Sequence, residues 1–166
     1  MSAGEVLHVL TLLDAAGVEA WVDGGWGVDA LLGEQTRPHG DVDLVIPAGR
    51  SAEALDALAG AGYAVIRDLA PTAIAVRDDE GREVDLHLVI ARPSGGAAQD
   101  LRGDPAMADA PPFRYGAPTV GRIAGVAVRC VDVETQLRAH EGYPLRDRDR
   151  MDLARLEAAF GGPPRR

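Results

Sequence analysis

The stretch Trp21-Val-Asp-Gly-Gly-Trp-Gly-Val-Asp29, followed by Thr36-Arg-Pro-His-Gly-Asp-Val-Asp-Leu44, decides how the rest of the chain is read. Its second half alternates. Val42, Leu44 and Ile46 fall on one face of a strand over 41–46, and Asp41 and Asp43 on the other. Residues i and i+2 of a strand share a face, with Cα atoms about 6–7 Å apart, so the two carboxylates stand side by side. Unless a cation sits between them, they repel and raise each other's pKa. The pair is suited to clamp divalent cations: magnesium takes one or two protein carboxylates and completes its shell with water and phosphate oxygens. A solvated strand edge carrying two charges has the same pattern.

In the first half, residues 19–22 read as a short strand, 23–27 as a tight glycine turn, and 28–32 as a helical segment stopped by Gly33. Gly24 and Gly25 let the backbone approach a bulky anion, and the following turn of helix offers free N–H groups. A turn that needs only positive φ would use the same glycines. Their spacing is not that of a dinucleotide-binding fingerprint, and the helix is too short for one.

Downstream, Val84, Leu86 and Leu88 line one face of a strand over 83–90, with Asp85 and His87 on the other. If this strand lies beside 41–46, three carboxylates converge. The third can ligate a metal or accept a proton from a nucleophilic hydroxyl. Otherwise Asp85 and His87 form an ordinary polar face.

Around these segments the pattern predicts helices over 3–16, 51–61, 133–140 and 147–160, and strands over 64–67, 74–77 and 127–131. Ser2 and Glu5 have capping-box spacing, Asp132 is an N-cap, and 78–81 is a hairpin turn. Residues 91–125, rich in Gly, Pro and Ala, read as one long loop, either functional or a plain surface excursion. This order is α+β, a small mixed sheet flanked by helices. We expect a core over 1–131 and a C-terminal helical segment over 132–166 packed on it. Trp21 and Trp26 are expected in the core or beneath the site, and Cys130 as inert core. Asp29 is expected to support the glycine turn. Asp149 and Asp152, on one helix face, are expected to pin a neighbouring loop, and the run Arg146–Arg150 to pair with itself.

At 166 residues the chain is one domain's worth, by the rule of roughly 100–200 residues per domain. Its charge sum is 17 minus 26, or −9, which disfavours general nucleic-acid binding and suits a cationic small substrate or a metal held by carboxylates. All 17 basic residues are arginine, which excludes a Schiff-base lysine, a Walker-type phosphate loop and a kinase lysine. One cysteine, Cys130, excludes an internal disulfide and a cysteine-only metal site. No apolar run approaches the roughly 20 residues of a membrane helix, and no signal peptide is evident, so a cytoplasmic location is expected.

With these motifs in this order, the chain resembles the nucleotidyltransferase superfamily that includes DNA polymerase beta. Within it, the chain resembles the antibiotic nucleotidyltransferases, the small lincosamide nucleotidyltransferases and also the aminoglycoside 2''-nucleotidyltransferases. The likeness continues through Val84-Asp-Leu-His87, the proline-rich residues near Phe113, Val128-Arg-Cys130 and His140-Glu-Gly-Tyr143, from about Val6 to Leu156. It implies a polymerase beta-like fold in which Gly24 and Gly25 hold a triphosphate. Asp41 and Asp43 would bind two magnesium ions, with Asp85 as base and further metal ligand. Arg37 and His39 would lie near the phosphates, and Arg129 or Tyr143 is a candidate for a further role. Where relatives place a lysine at the phosphates, this chain would use arginine, for example Arg146 or Arg148. The implied activity is transfer of AMP from ATP to a hydroxyl of a small molecule, a lincosamide or aminoglycoside antibiotic, releasing pyrophosphate. The competing class is a non-catalytic binding protein of the same fold, such as an antitoxin partner. A homodimer, supplying a second wall to a shallow pocket, is a further expectation from length.

Overall fold

Strand β2 (Asp41–Pro47) pairs in parallel with β5 (Glu83–Ala91) and antiparallel with β1 (Trp21–Asp23). The computed structural model describes residues 1–141 and 144–161. In it these strands form the centre of a mixed sheet. The order is β3 (Ala64–Leu69), β4 (Ala73–Arg77), β5, β2, β1, β9 (Val126–Cys130), β8 (Thr119–Ile123). Beyond the end of β4, the last residues of β5 pair with β6 (Ala97–Gln99), and β6 with β7 (Phe113–Tyr115).

Alternation does what the sequence predicts. Val42, Leu44 and Ile46 join Val84, Leu86 and Leu88 in the main core, which also takes Val6, Val9 and Leu13 of α1 (Ala3–Ala15) and Leu58 of α3 (Ser51–Gly60). Burying each such side chain contributes about 1.5–3 kcal/mol, so the strands are anchored from behind and their polar face is left for chemistry. Helix α1 starts with the expected capping box: Ser2 N–H donates to Glu5 Oε2 at 2.5 Å, and Glu5 N–H to Ser2 Oγ at 3.4 Å. The hairpin at 78–81 joins antiparallel β4 and β5 as predicted. The last two helices, α4 (Val133–Ala139) and α5 (Asp147–Phe160), pack against α2 (Gly24–Leu32).

Three expectations are corrected. The sheet is mixed and flanked by helices as expected, but larger than expected, with nine strands among the described residues. Residues 91–125 are not one loop: β6, β7 and β8 lie within them. Their strands are too short, at three to five residues, to show a clear alternation. The glycines do not form a separate turn before a helix. Gly24 and Gly25 are the first residues of α2, with Asp23 as N-cap accepting from Gly24 N–H at 2.8 Å.

Candidate active site

One row of side chains crosses five strands. Asp23 on β1 is the register partner of Asp43 on β2, Asp43 of Asp85 on β5, Asp85 of Ala75 on β4, and Ala75 of Arg67 on β3. The methyl of Ala75 leaves space for Arg67 to reach over it, and its Nη2 donates to Asp85 Oδ2 at 2.6 Å. Two rungs along β5, His87 lies on the same face, its Nε2 3.4 Å from Asp43 Oδ1.

Among the described residues, one group brings metal-ligating atoms within 4.8 Å of one another: Asp43, Asp85 and His87. The expected convergence of Asp43 with Asp85 is present. Asp41 lies outside this group, exposed, on the rung where β2 pairs with Glu83. Burial pushes the Asp85 carboxyl above the ordinary carboxylate range, with His87 and Arg67 pulling it back. Asp23 is likewise raised by burial. For His87, desolvation opposes the charged ring, but the hydrogen bond and field of Asp43, with Asp23 and Asp85, outweigh it and push the ring up to about 9. Asp85 Oδ1 is buried with no hydrogen-bond partner. An unpaired carboxylate oxygen is costly, and this donor set suits a divalent cation.

The glycines close the other side. Gly24 has φ +57°, and a Cβ there would run into the Asp43 carboxylate. A Cβ on Gly25 would meet His39 Nδ1 at 2.5 Å and Arg37 Nη2 at 2.6 Å. The structure therefore brings Gly24, Gly25, Arg37, His39 and Asp43 together at the N-terminus of α2, where free N–H groups and the helix dipole favour an anion.

Arg37 and His39 are also structural. Arg37 forks onto Asp152 of α5, with Nη2 to Oδ2 at 2.7 Å and Nε to Oδ1 at 3.2 Å, and its Nη1 lies 2.9 Å from His39 Nδ1. His39 Nε2 lies 2.5 Å from Asp29 Oδ2, and Asp29 Oδ1 accepts from the Thr36 hydroxyl at 2.6 Å. Asp29 thus braces residues 36–39, not the glycine turn as expected. Asp152 pins that segment, as expected of it. Asp149 accepts from Arg146, and Arg150 pairs with Asp147, so the charge run pairs within itself. Arg146 and Arg148 both turn to Asp149. Arg129 pairs with Glu19 at 2.6 Å, away from the carboxylates. Tyr143 lies outside the described residues. Trp26 is in the core, while Trp21 is half-buried with its Nε1 donating to Glu19. Cys130 is buried, its thiol pushed up to about 11 by desolvation, in keeping with an inert role.

Beside the carboxylates opens a cleft of about 520 Å³. Its floor carries Asp23, Asp85, His87 and Gln99, and its walls include Leu69, Leu101, Met107 and Phe113. Residues 100–112 form one wall, docked by Thr72, whose hydroxyl donates to Asp100 O at 2.7 Å and accepts from Gly103 N–H at 2.9 Å. Sequence reasoning missed Asp23, Arg67, Gln99 and Gln136. Gln136 Nε2 donates to Asp23 Oδ1 at 2.9 Å. An aspartate just before two glycines is an N-cap signal that identifies Asp23; the others are placed by tertiary pairing.

Comparison with known proteins agrees with this geometry. A lincosamide resistance protein of Staphylococcus haemolyticus is 27% identical over 160 residues, covering 93% of each chain. A 2''-aminoglycoside nucleotidyltransferase of Escherichia coli is 31% identical over 122 residues, 74% of this chain and 63% of that protein, so the match spans less than two thirds of it. The crystal structure of the lincosamide antibiotic adenylyltransferase LnuA with lincomycin bound superposes with a TM-score of 0.79 at 25% identity, over 93% of this chain and 96% of that one. The fold is therefore that of the nucleotidyltransferases, as the resemblance implied. The family description for aminoglycoside-2''-adenylyltransferases matches residues 5–156, from the first helix through the glycine pair and both carboxylate strands to α5, and the chain belongs to that family.

Proposed function

We propose that the protein transfers AMP from ATP to a hydroxyl of a small antibiotic, with magnesium, releasing pyrophosphate. The observation that carries this is the in-register pairing of Asp43 and Asp85, flanked by the glycine N-terminus of α2 on one side and the 520 Å³ cleft on the other. The triphosphate and acceptor then meet over the carboxylates.

In this reading the backbone N–H of Gly25 donates to a phosphate oxygen, Gly24 lets the chain close on the phosphates without a side chain in the way, and Arg37 and His39 lie beside them. Asp43 and Asp85, with Asp41 two rungs away, would hold the metal; two ions is our reading for this site. Bound there, magnesium neutralises phosphate charge and stabilises the attacking and leaving oxygens. The acceptor hydroxyl oxygen forms a bond to the α-phosphorus, the bond to pyrophosphate breaks, and the hydroxyl proton passes to the Asp85 carboxylate. A carboxyl raised by burial is a stronger base than an exposed one, and a positioned base contributes roughly 10²–10⁴-fold. Residues 100–112 shield the cleft from water. We read 1–131 as the transferase core and 132–166 as a brace that delivers Gln136 to Asp23 and Asp152 to Arg37.

The cleft combines an acidic floor with apolar walls, which favours an amine-bearing acceptor with an apolar arm. The lincosamide relative, aligned over nearly its whole length, points the same way. An aminoglycoside is the second candidate. A non-catalytic binding role is disfavoured, because the carboxylates meet and the family is one of enzymes. The test is pyrophosphate release with ATP and magnesium against lincomycin, clindamycin, kanamycin and tobramycin. Release that depends on one drug and vanishes in Asp43→Ala is expected. No release with any of the four overturns the antibiotic acceptor.

A further inference from the structure

Most polar side chains that line the cleft already have partners. Asp23 accepts from Gln136 Nε2 and Gly24 N–H, Arg67 is paired with Asp85, and His87 lies against Asp43. Gln99 Nε2 donates to the Thr72 carbonyl at 3.0 Å, and its Oε1 accepts from the Tyr115 hydroxyl at 3.2 Å. One carboxylate of the cleft stands apart from this row. It is Asp104, half-buried, on the wall that also carries Leu101, Met107 and Phe113.

The chain around Asp104 holds it in place. Gly103 packs so closely on the Leu69 carbonyl that a Cβ there would run into it. At the next residue, Asp104 N–H donates to Leu101 O at 3.1 Å, and Asp104 O accepts from Met107 N–H at 2.9 Å. The side chain is fixed through one oxygen, Oδ1, which accepts from Ala106 N–H at 2.9 Å. Among the described residues, Oδ2 accepts no hydrogen bond and no arginine pairs with it. Arg102 is forked onto Asp100, its Nε 2.9 Å from Oδ1 and 3.0 Å from Oδ2. Arg138, over the Phe113 ring, donates to the Arg114 carbonyl.

We propose that Asp104 is a specificity-determining residue for the acceptor: its carboxylate takes the acceptor's ammonium group. The carbon skeleton then lies against Leu101, Met107 and Phe113, and the hydroxyl end is left at the rung of Asp43 and Asp85. The inference rests on the transfer reading above. Charge sets the orientation. An acidic floor draws a cation into the cleft, but carboxylates that hold a divalent cation repel an ammonium, whereas the wall carboxylate attracts it. Apolar surroundings strengthen a charge-assisted hydrogen bond of this kind. A cleft of about 520 Å³ is within the range for drug-sized ligands. The acceptor class is therefore a drug-sized molecule with an amine at one end and the reacting hydroxyl at the other, and a neutral polyol lacks the anchor.

The test is calorimetric binding of lincomycin, which carries one basic amine, to the full chain with magnesium present. Asp104→Asn keeps the oxygen that accepts from Ala106 N–H and removes the charge. Lincomycin is expected to bind this variant at least about tenfold more weakly than wild type, with Asp104→Glu in between. Added sodium chloride is expected to weaken binding to wild type and to leave binding to Asp104→Asn nearly unchanged. Equal binding to wild type and Asp104→Asn overturns the proposal. So does a weakening in Asp104→Asn that salt deepens as much as in wild type, because the lost interaction is then not the charge. If Asp104→Asn does not fold, wild type is titrated with lincomycin N-oxide, whose amine carries no net charge; the same loss is expected, and equal binding overturns the proposal. No binding of lincomycin to wild type also overturns it. The transfer assay is separate. Lincomycin bound through Asp104 but not adenylylated defeats the proposed reaction and leaves the role of Asp104 standing. Adenylylation with an unchanged KM for lincomycin in Asp104→Asn does the reverse.

Discussion

Asp43 and Asp85 are register partners on adjacent parallel strands, β2 and β5, so two carboxylates far apart in sequence face the same side of the sheet on one rung. Both lie on strands whose opposite faces are sealed in the core, so neither is needed for folding. Asp43→Ala and Asp85→Ala are each expected to abolish nucleotidyl transfer, a loss of at least about 10²-fold, with the far-ultraviolet circular dichroism of wild type. Retained activity in both variants would defeat the site assignment.

Asp85 carries a stability cost that runs with pH. Burial holds its folded-state pKa above the ordinary 3.8. The folded state therefore binds that proton more tightly than the unfolded state, and stability falls as pH rises from 3.8 through the raised folded value. Asp85→Asn removes the charge. Its Tm near neutral pH is expected to exceed that of wild type, by about 2–4 °C for each kcal/mol relieved, and the gap should close below pH 3.8. A Tm at neutral pH equal to or below that of wild type would contradict this.

Magnesium should report on the same residues without any acceptor. A ligand that binds only the folded state stabilises it by about 2.7 kcal/mol at a hundredfold excess over its Kd. Thermal melts are expected to rise with magnesium in wild type and to stay flat in Asp43→Ala. Chelation should remove transfer while leaving the fold, because no buried core element depends on the ion.

Gly24→Ala tests the cradle. Its φ of +57° costs an L-residue about 1–2 kcal/mol, and the new Cβ would press on Asp43. The expected result is modest destabilisation in urea and a much larger rise in the KM for ATP. Loss of stability with an unchanged KM would reduce Gly24 to a turn residue.

Asp152→Ala tests the brace. The variant leaves Arg37 without its forked partner and is expected to cost about 1–3 kcal/mol in urea unfolding, with Arg37→Met costing a similar amount. A difference near zero would place the pair among the many surface ion pairs that contribute nothing measurable.

Much of this was legible in the sequence. Alternation at 41–46 and 83–90 gave the strands and their polar faces, and the Ser2, Asp132 and Gly33 signals gave helix ends. What alternation does not carry is pairing. That β2 and β5 are neighbours, and that Ala75 lets Arg67 reach Asp85, depends on strand order, which no local pattern encodes. Strands β6 and β7 are three residues each and read as loop, so Gln99 and Tyr115 were invisible as site residues. Asp29 stands out in the sequence, but its partners His39 and Thr36 are chosen by how the segment after Gly33 folds back. Asp23 was within reach, as an aspartate capping a helix that begins with two glycines.

The Arg37–Asp152 pair joins positions 115 residues apart. A nascent chain emerges from its N-terminal end, at about 5–20 residues each second. The carboxylate strands and glycine pair are thus synthesised long before the side chain that secures the segment against them. Contacts this remote form late and slow the search for the native state. The corner held by Arg37 and Asp152 therefore closes only after α5 has been made. A chain interrupted before α5 would carry every acidic group of the site and yet lack the clasp that keeps Arg37 and His39 in register with Gly25.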